Sequence, residues 1–262
     1  MTCQQNRQIN RSPQSKIKKL FRAAQQVIWP LIPLPLGLKR AVWHKLFFSK
    51  DSFIYKNSHH GDVFSKIYGD NFWLSKESRS GGGSLISTTK TIREKLPQMW
   101  EEYGIKTFLD VPCGDYNWMK EVDKKDVVYI GGDIVEDVIS QNSKKYSAQN
   151  VSFKVIDITK DELPAVDMIF CKDCLQHLSY EKILMALRNF KRSKSKYLLT
   201  TSYSKTLYNW DIHDGDCRPL NLLKKPFSLP QPLMKIREKS RGVQVDSDKE
   251  MYLYKLDDIN NF

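Results

Sequence analysis

The residues most able to do chemistry lie in three short runs. The first is Phe108–Met119, FLDVPCGDYNWM, in which apolar residues end on Asp110 and the chain turns through Pro112, Cys113 and Gly114. The second is Gly131-Gly132-Asp133, whose acid stands 23 residues after Asp110. An acid closing one strand, a glycine where backbone must approach a ligand, and an acid closing the next strand form a layout that holds a nucleotide-like cofactor. The second acid takes the ribose hydroxyls. The third run, Cys171–Ser179, carries Asp173 and His177. An imidazole titrates near pH 7 and can accept a hydroxyl proton, while a nearby carboxylate can anchor a substrate. The same pair equally suits a helix-capping Asp and a half-buried structural His. Cys171-Lys-Asp-Cys174 has metal-ligand spacing, but neither a second such pair nor paired histidines accompany it, and no metal is expected. Cys113 is expected to pack within its loop.

These residues need elements that bring them to one place, and the hydrophobic pattern supplies them. Thr107–Val111, Val127–Gly131, Val151–Ile156, Asp167–Cys171 and Tyr197–Ser202 are expected as strands. Between them fall a short helix at Asn117–Val122 and longer ones at Val135–Tyr146 and Tyr180–Phe190, the last with Ser179 as N-cap. A helix with Leu85, Ile92, Leu96, Met99 and Tyr103 on one side precedes the first strand, and Pro97 is expected to kink it or open a new turn. Apolar strands interleaved with amphipathic helices imply a parallel sheet covered on both faces. Leu233–Glu238 and Met251–Leu256 alternate apolar with polar residues and predict an antiparallel hairpin at the sheet edge.

The 262 residues suffice for one large α/β core with a small appendage. The net charge of +12 is unevenly spread. Residues 1–50 hold ten Lys/Arg and no Asp or Glu, leaving 32 basic and 30 acidic side chains in the rest. The chain therefore divides into a basic extension, residues 1–60, and a near-neutral body, residues 61–262. A polynucleotide running across the body is disfavoured by that neutrality. The extension is expected to pack on the body, with peripheral contact to an anionic membrane surface as the alternative. Val27–Leu38 is short and interrupted by Pro30, Pro33 and Pro35, and is expected neither to span a membrane nor to act as a signal. Five cysteines, an odd number, suit reduced thiols and a cytoplasmic setting.

Five such strands closed by a hairpin, with acids at the ends of the first three, resemble the class I S-adenosylmethionine-dependent methyltransferases. The resemblance spans about residues 62–258. It implies a Rossmann-like, mostly parallel seven-stranded sheet with helices on both faces and a C-terminal antiparallel hairpin. It also implies S-adenosylmethionine as cofactor. Asp110, Cys113 and Gly114 would then form the cofactor loop, and Asp110 would face the ligand ammonium or serve as a turn cap. Asp133 and Ile134 would hold the ribose, and Asp157 with the Ile158 amide would meet the adenine. Lys172 joins this cofactor set, and Arg79 would either pair with the cofactor carboxylate or lie in a solvated turn. Pro112 and Tyr116 stand where the family's loop usually has further glycines. Asp173 and His177 follow the fourth strand, where the methyl acceptor would lie, and His177 is the expected base. The runs Trp73–Gly81, Cys171–Ser179 and Asp216–Leu222 further resemble an uncharacterised subgroup of bacterial type, some of whose members accompany glycosyltransferases. That implies an oxygen-directed enzyme acting on a small-molecule, sugar or glycoconjugate acceptor. The alternatives are an RNA or protein methyltransferase docked by the basic extension, and a non-catalytic scaffold of the same fold.

Overall fold

The computed structural model describes residues 34–47, 55–238 and 247–259. The extension before Leu34, with Cys3, lies outside them, as does the turn of the C-terminal hairpin.

Seven strands form one sheet in the order β3-β2-β1-β4-β5-β7-β6. They are β1 (Thr107–Asp110), β2 (Val128–Asp133), β3 (Val151–Val155), β4 (Met168–Cys171), β5 (Tyr197–Tyr203), β6 (Met234–Arg237) and β7 (Lys249–Lys255). The first five run parallel. β7 pairs antiparallel with both β5 and β6. The predicted hairpin therefore exists, and its second strand inserts between β5 and β6 rather than following its first at the edge.

Alternation along the strands sends successive side chains to opposite faces, and both faces are buried. Leu109, Ile169, Leu198 and Tyr252 face one side, where α5 (Tyr180–Arg192) contributes Ile183, Leu187 and Phe190. Phe108, Phe170, Leu199 and Leu253 face the other, against Ile92, Leu96, Met99 and Trp100 of α3 (Lys90–Glu102) and Ile139 of α4 (Glu136–Tyr146). α3 runs through Pro97 as one helix. The four buried side chains on its inner face hold both halves to the sheet, which offsets the hydrogen bond that proline forgoes. Leu85 and Tyr103 fall outside that helix. The predicted helix at Asn117–Val122 is a single 3₁₀ turn, Met119–Glu121.

Among the described residues, two further helices come before α3. α1 (Leu36–Phe47) lies within the stretch assigned to the extension, yet it is fastened to the body. Its Arg40 guanidinium donates to both oxygens of Asp248 at 2.9 and 2.7 Å and to Thr206 at 3.0 Å. α2 (His60–Gly69) lies across the sheet edge where the parallel strands end, with Val63 and Ile67 buried.

β1, β2 and β3 progress one way across the sheet, and β4 and β5 the other. The chain direction reverses between β1 and β4, and the loops leaving those strands diverge. A crevice at the carboxyl ends of strands flanking such a reversal is the usual ligand position in an open α/β sheet.

Candidate active site at the strand reversal

The loop leaving β1 shapes the floor. Gly114 has φ +55°, and a Cβ placed there would fall 2.3 Å from the Ser80 hydroxyl. That hydroxyl accepts the Asp115 amide at 3.0 Å. The Asp115 carboxylate in turn accepts the Ser78 hydroxyl and the Arg79 amide, each at 2.9 Å. Asn117 donates to Glu77 and to the Ser84 carbonyl. Residues 77–84 are thus bound down over the loop, and only a residue without a side chain fits at the crossing. Tyr116, one of the positions where glycine was expected, has φ +56°. Its ring packs among Tyr129, Tyr146 and Phe153. The left-handed conformation costs a non-glycine residue about 1–2 kcal/mol, and burying an aromatic ring is worth at least as much. That trade explains how the loop keeps its course with fewer glycines.

The acids follow the strand order. Asp157, Asp133 and Asp110 end or follow β3, β2 and β1, so they line up along one edge at strand spacings of about 5 Å. Asp133 accepts the Gly114 and Val135 amides, each at 3.0 Å. Burial pushes its pKa up to about 6, while those amides pull it back. Asp110 accepts the Tyr129 hydroxyl at 2.6 Å, and burial lifts it to about 7 against that bond and the more distant Lys124. Burial also works to raise Asp157, but the Thr159 hydroxyl and amide at 2.6 and 2.9 Å, with His60 and Lys160, outweigh it and hold the group below the ordinary value. The Ile158 amide makes no hydrogen bond among the described residues.

Beyond β4 the chain builds a holder for one imidazole. His177 Nδ1 donates to the Asp216 carbonyl at 2.8 Å. A carbonyl can only accept, so Nδ1 carries the proton and the neutral ring offers the Nε2 lone pair. The His177 carbonyl accepts the Gly215 amide, and Arg218, fully buried, donates to the Gln176 and Leu178 carbonyls on either side. The Trp73 ring lies 5.0 Å from the imidazole. Burial lowers the His177 pKa, partly opposed by the bond to Asp216. Asp211 and Asp214 accept the amides of Tyr180 and Ser179 and so cap α5 from a distance. Ser179 occupies the predicted N-cap position, but its own side chain makes no capping bond.

Asp173 and Lys172 have a different setting from the one expected. With Lys249 and Glu238 they form a buried ion cluster. Lys249 Nζ lies 2.6 Å from both Asp173 oxygens and 3.1 Å from Glu238. Lys172 donates to Asp173 at 2.6 Å and to the Gly83 carbonyl at 3.0 Å, and its ammonium pairs with Glu238 at 3.2 Å. Two of the three ammonium protons are thus taken within the protein, and its charge is paired with Asp173 and Glu238. Lys172 pins the 81–84 turn. Although burial opposes it, Lys172 and Lys249 hold the Asp173 carboxylate far below its usual range. Its charge is thereby spent on the cluster, and the substrate-anchor role expected of it gives way to a positioning one.

All eleven residues singled out in the sequence line one cavity of about 1110 Å³ counted to its open mouth. Arg79 stands at that mouth, its guanidinium near the Gly69 carbonyl and the Tyr68 ring. The sequence reading missed the wall given by α2 and the turn after it: His60, Phe64, Tyr68 and Trp73. His60 donates to Asp214 at 2.8 Å and comes within 3.8 Å of Asp157. Trp73 opens the run Trp73–Gly81, but no motif marks His60, Phe64 or Tyr68. The available signal was a histidine and aromatics gathered before Gly81-Gly82-Gly83.

The donor set fits S-adenosylmethionine. Acceptors for an amino group, a diol and an ammonium occur in that order along the edge, with an unpaired amide beside Asp157 and the apolar Ile134 and Ile158 between. Fold and site together define an α/β protein with one open cavity at the reversal of a doubly wound sheet. A sequence profile of the methyltransferase-domain family matches residues 108–195, from β1 through α5. No curated protein sequence matches the chain. Among solved structures it is similar to an S-adenosylmethionine-dependent methyltransferase from Anabaena variabilis, at TM-score 0.54 and 12% identity over 76% of this chain and 96% of that one. It is also similar to a structure described as PigF with SAH, at TM-score 0.55 and 9% identity over 90% and 72%. At such identities the likeness is one of fold. The profile covers about a third of the chain, and together with the strand order and the hairpin it makes the chain similar in fold to the class I methyltransferases.

Proposed function

We propose that the chain methylates an oxygen nucleophile on a small-molecule or sugar acceptor, with His177 as the base. The observation that carries this reading is the bond from His177 Nδ1 to the Asp216 carbonyl, which leaves Nε2 as the lone-pair nitrogen of a residue that lines the cavity. The bound cofactor supplies an electrophilic methyl group on a sulfonium centre. Asp157 and the Ile158 amide meet the adenine, Asp133 the ribose diol and Asp110 the ammonium, with Arg79 at the mouth for the carboxylate. Gly114 and Cys113 bring backbone close to the ligand, and Ile134 packs against it. His177 Nε2 would take the acceptor's proton as the acceptor oxygen bonds to the methyl carbon and that carbon's bond to sulfur breaks, its electron pair staying on sulfur, and would then release the proton to solvent. A lowered pKa keeps the imidazole neutral at pH 7, the form a base requires. The near-neutral body favours an acceptor without large negative charge.

Two measurements test this reading. Calorimetry with S-adenosylmethionine should show binding that Asp133→Ala weakens at least about tenfold, the scale of one lost charge-assisted pair. Absence of binding by the parent chain would end the reading. Turnover of labelled methyl donor with His177→Gln should fall by roughly two to four decades while cofactor affinity holds. The parent rate should rise with pH to a plateau, with its inflection below 6.5. An unaltered rate in the variant would move the base elsewhere.

A further inference from the structure

We propose that the outer face of α1 docks the protein on an anionic membrane surface, lying in the interface plane. This inference is independent of the reaction proposed above. In α1 the polar side chains Lys39 and Arg40 are buried, at 8% and 4% exposure, while Lys45 is exposed. Leu38, Val42 and Leu46 point outward at 42%, 41% and 65%, and Leu34, just before the helix, is 39% exposed. Four-residue spacing puts Leu38, Val42 and Leu46 along one side of the helix. Leu207 and Tyr208 continue the patch on the neighbouring segment, at 55% and 40%.

The helix cannot roll to hide this stripe. The two-pronged pairing of Arg40 with Asp248 fixes its rotation, and the Lys205 carbonyl lies so close to Gly37 that a Cβ there would sit 2.2 Å from it. A contiguous apolar face held outward by buried polar contacts marks a surface that something covers.

Charge selects what covers it. The first 50 residues carry ten cations and no anion, so the face belongs to the most basic part of the chain. A symmetric pairing of two copies through this face would bring the two basic stretches together, which like charge opposes. A polynucleotide would satisfy the cations but has no use for a leucine stripe. An anionic lipid surface satisfies both, because its headgroups meet the exposed Lys45 and the basic sequence that flanks α1 while the acyl boundary receives Leu and Val. At 12 residues α1 is about 18 Å long, and no helix among the described residues is long and apolar enough to cross a membrane. The contact is therefore peripheral.

The test is co-sedimentation of the full chain with vesicles of phosphatidylcholine alone and of phosphatidylcholine mixed with phosphatidylserine. Binding to the mixed vesicles should exceed binding to the neutral ones by about tenfold or more and weaken with salt. The triple variant Leu38→Gln, Val42→Gln, Leu46→Gln should lose about tenfold in that binding while keeping its melting temperature and cofactor affinity. Should the triple variant melt low, Leu46→Gln alone, at the most exposed position, should still lose roughly threefold. No binding to mixed vesicles would overturn the proposal. So would vesicle binding that the glutamine variants leave intact, which would reduce the contact to charge alone. Conversion of a parent dimer to a monomer by the triple variant would assign the face to a second copy instead.

Discussion

The Asp110 carboxylate takes its one hydrogen bond among the described residues from Tyr129 and touches no cation directly. Its folded pKa near 7 lies above the ordinary 3.8. The folded protein therefore binds more protons than the unfolded chain between those values, and this group's contribution to stability falls as pH rises from about 4 to about 7. Asp133, near 6, acts in the same direction. Both carboxylates oppose folding at neutral pH and favour a ligand that brings an ammonium and hydroxyls. Asp110→Asn should raise the melting temperature of the cofactor-free protein at pH 8 by a few degrees and weaken S-adenosylmethionine binding at least about tenfold. Differential scanning and isothermal calorimetry on one preparation read both. A variant that melts lower would show that the charge is better compensated than its surroundings indicate. In the parent, cofactor affinity should rise between pH 6 and 7 as the two acids ionise. A flat profile there would count against their roles. Asp110 and Asp133 stood out in the sequence because each closes an apolar run. The raised pKa values did not, since burial depends on what the rest of the chain lays over the strand ends.

At the scale of elements, the β1 loop and the 77–84 segment hold each other in place through Ser80, Asp115, Asn117 and Glu77. Gly114→Ala should cost about 1–3 kcal/mol, from the positive φ and the contact with Ser80 together. Ser80→Gly in the same chain should recover the steric part and leave the conformational part, so a double-mutant cycle on urea midpoints separates the two. Strict additivity would mean that the segment does not press on the loop. The strands were legible to within one or two residues because each is an apolar run bounded by turn residues. The caps of α5 were not legible. Ser179 has the right type and place, yet Asp211 and Asp214, more than thirty residues onward, take the amides. A local rule could not find them, because the partner is chosen by where the loop after β5 returns.

Across the whole molecule, α1 is anchored to the body by a buried pair, with Arg40 and Asp248 side chains 3% and 1% exposed, beside the contacts of His44 with Tyr208 and Trp210. Removing one partner strands the other's charge. Arg40→Ala should therefore destabilise by about 3–5 kcal/mol and open α1 to proteolysis at Lys39 and Lys45. Limited digestion beside a melting curve checks it, and an unchanged digestion pattern would locate the anchorage elsewhere. This pair also moves the boundary drawn at residue 60, since α1 docks on the body although its composition belongs with the basic extension. The sequence by itself determined the alternation of strands and helices, the three strand-end acids and the family they resemble. These follow from periodicity and from residue types at short spacing, which the chain carries locally. Only the tertiary structure decided that Lys172 and Asp173 spend their charges on Lys249 and Glu238, that Asp216 sets the His177 tautomer, and that α2 walls the cavity. Each of those depends on residues far apart in the chain meeting at the strand reversal. There, burial removes water and the nearest protein group decides what each charge can do.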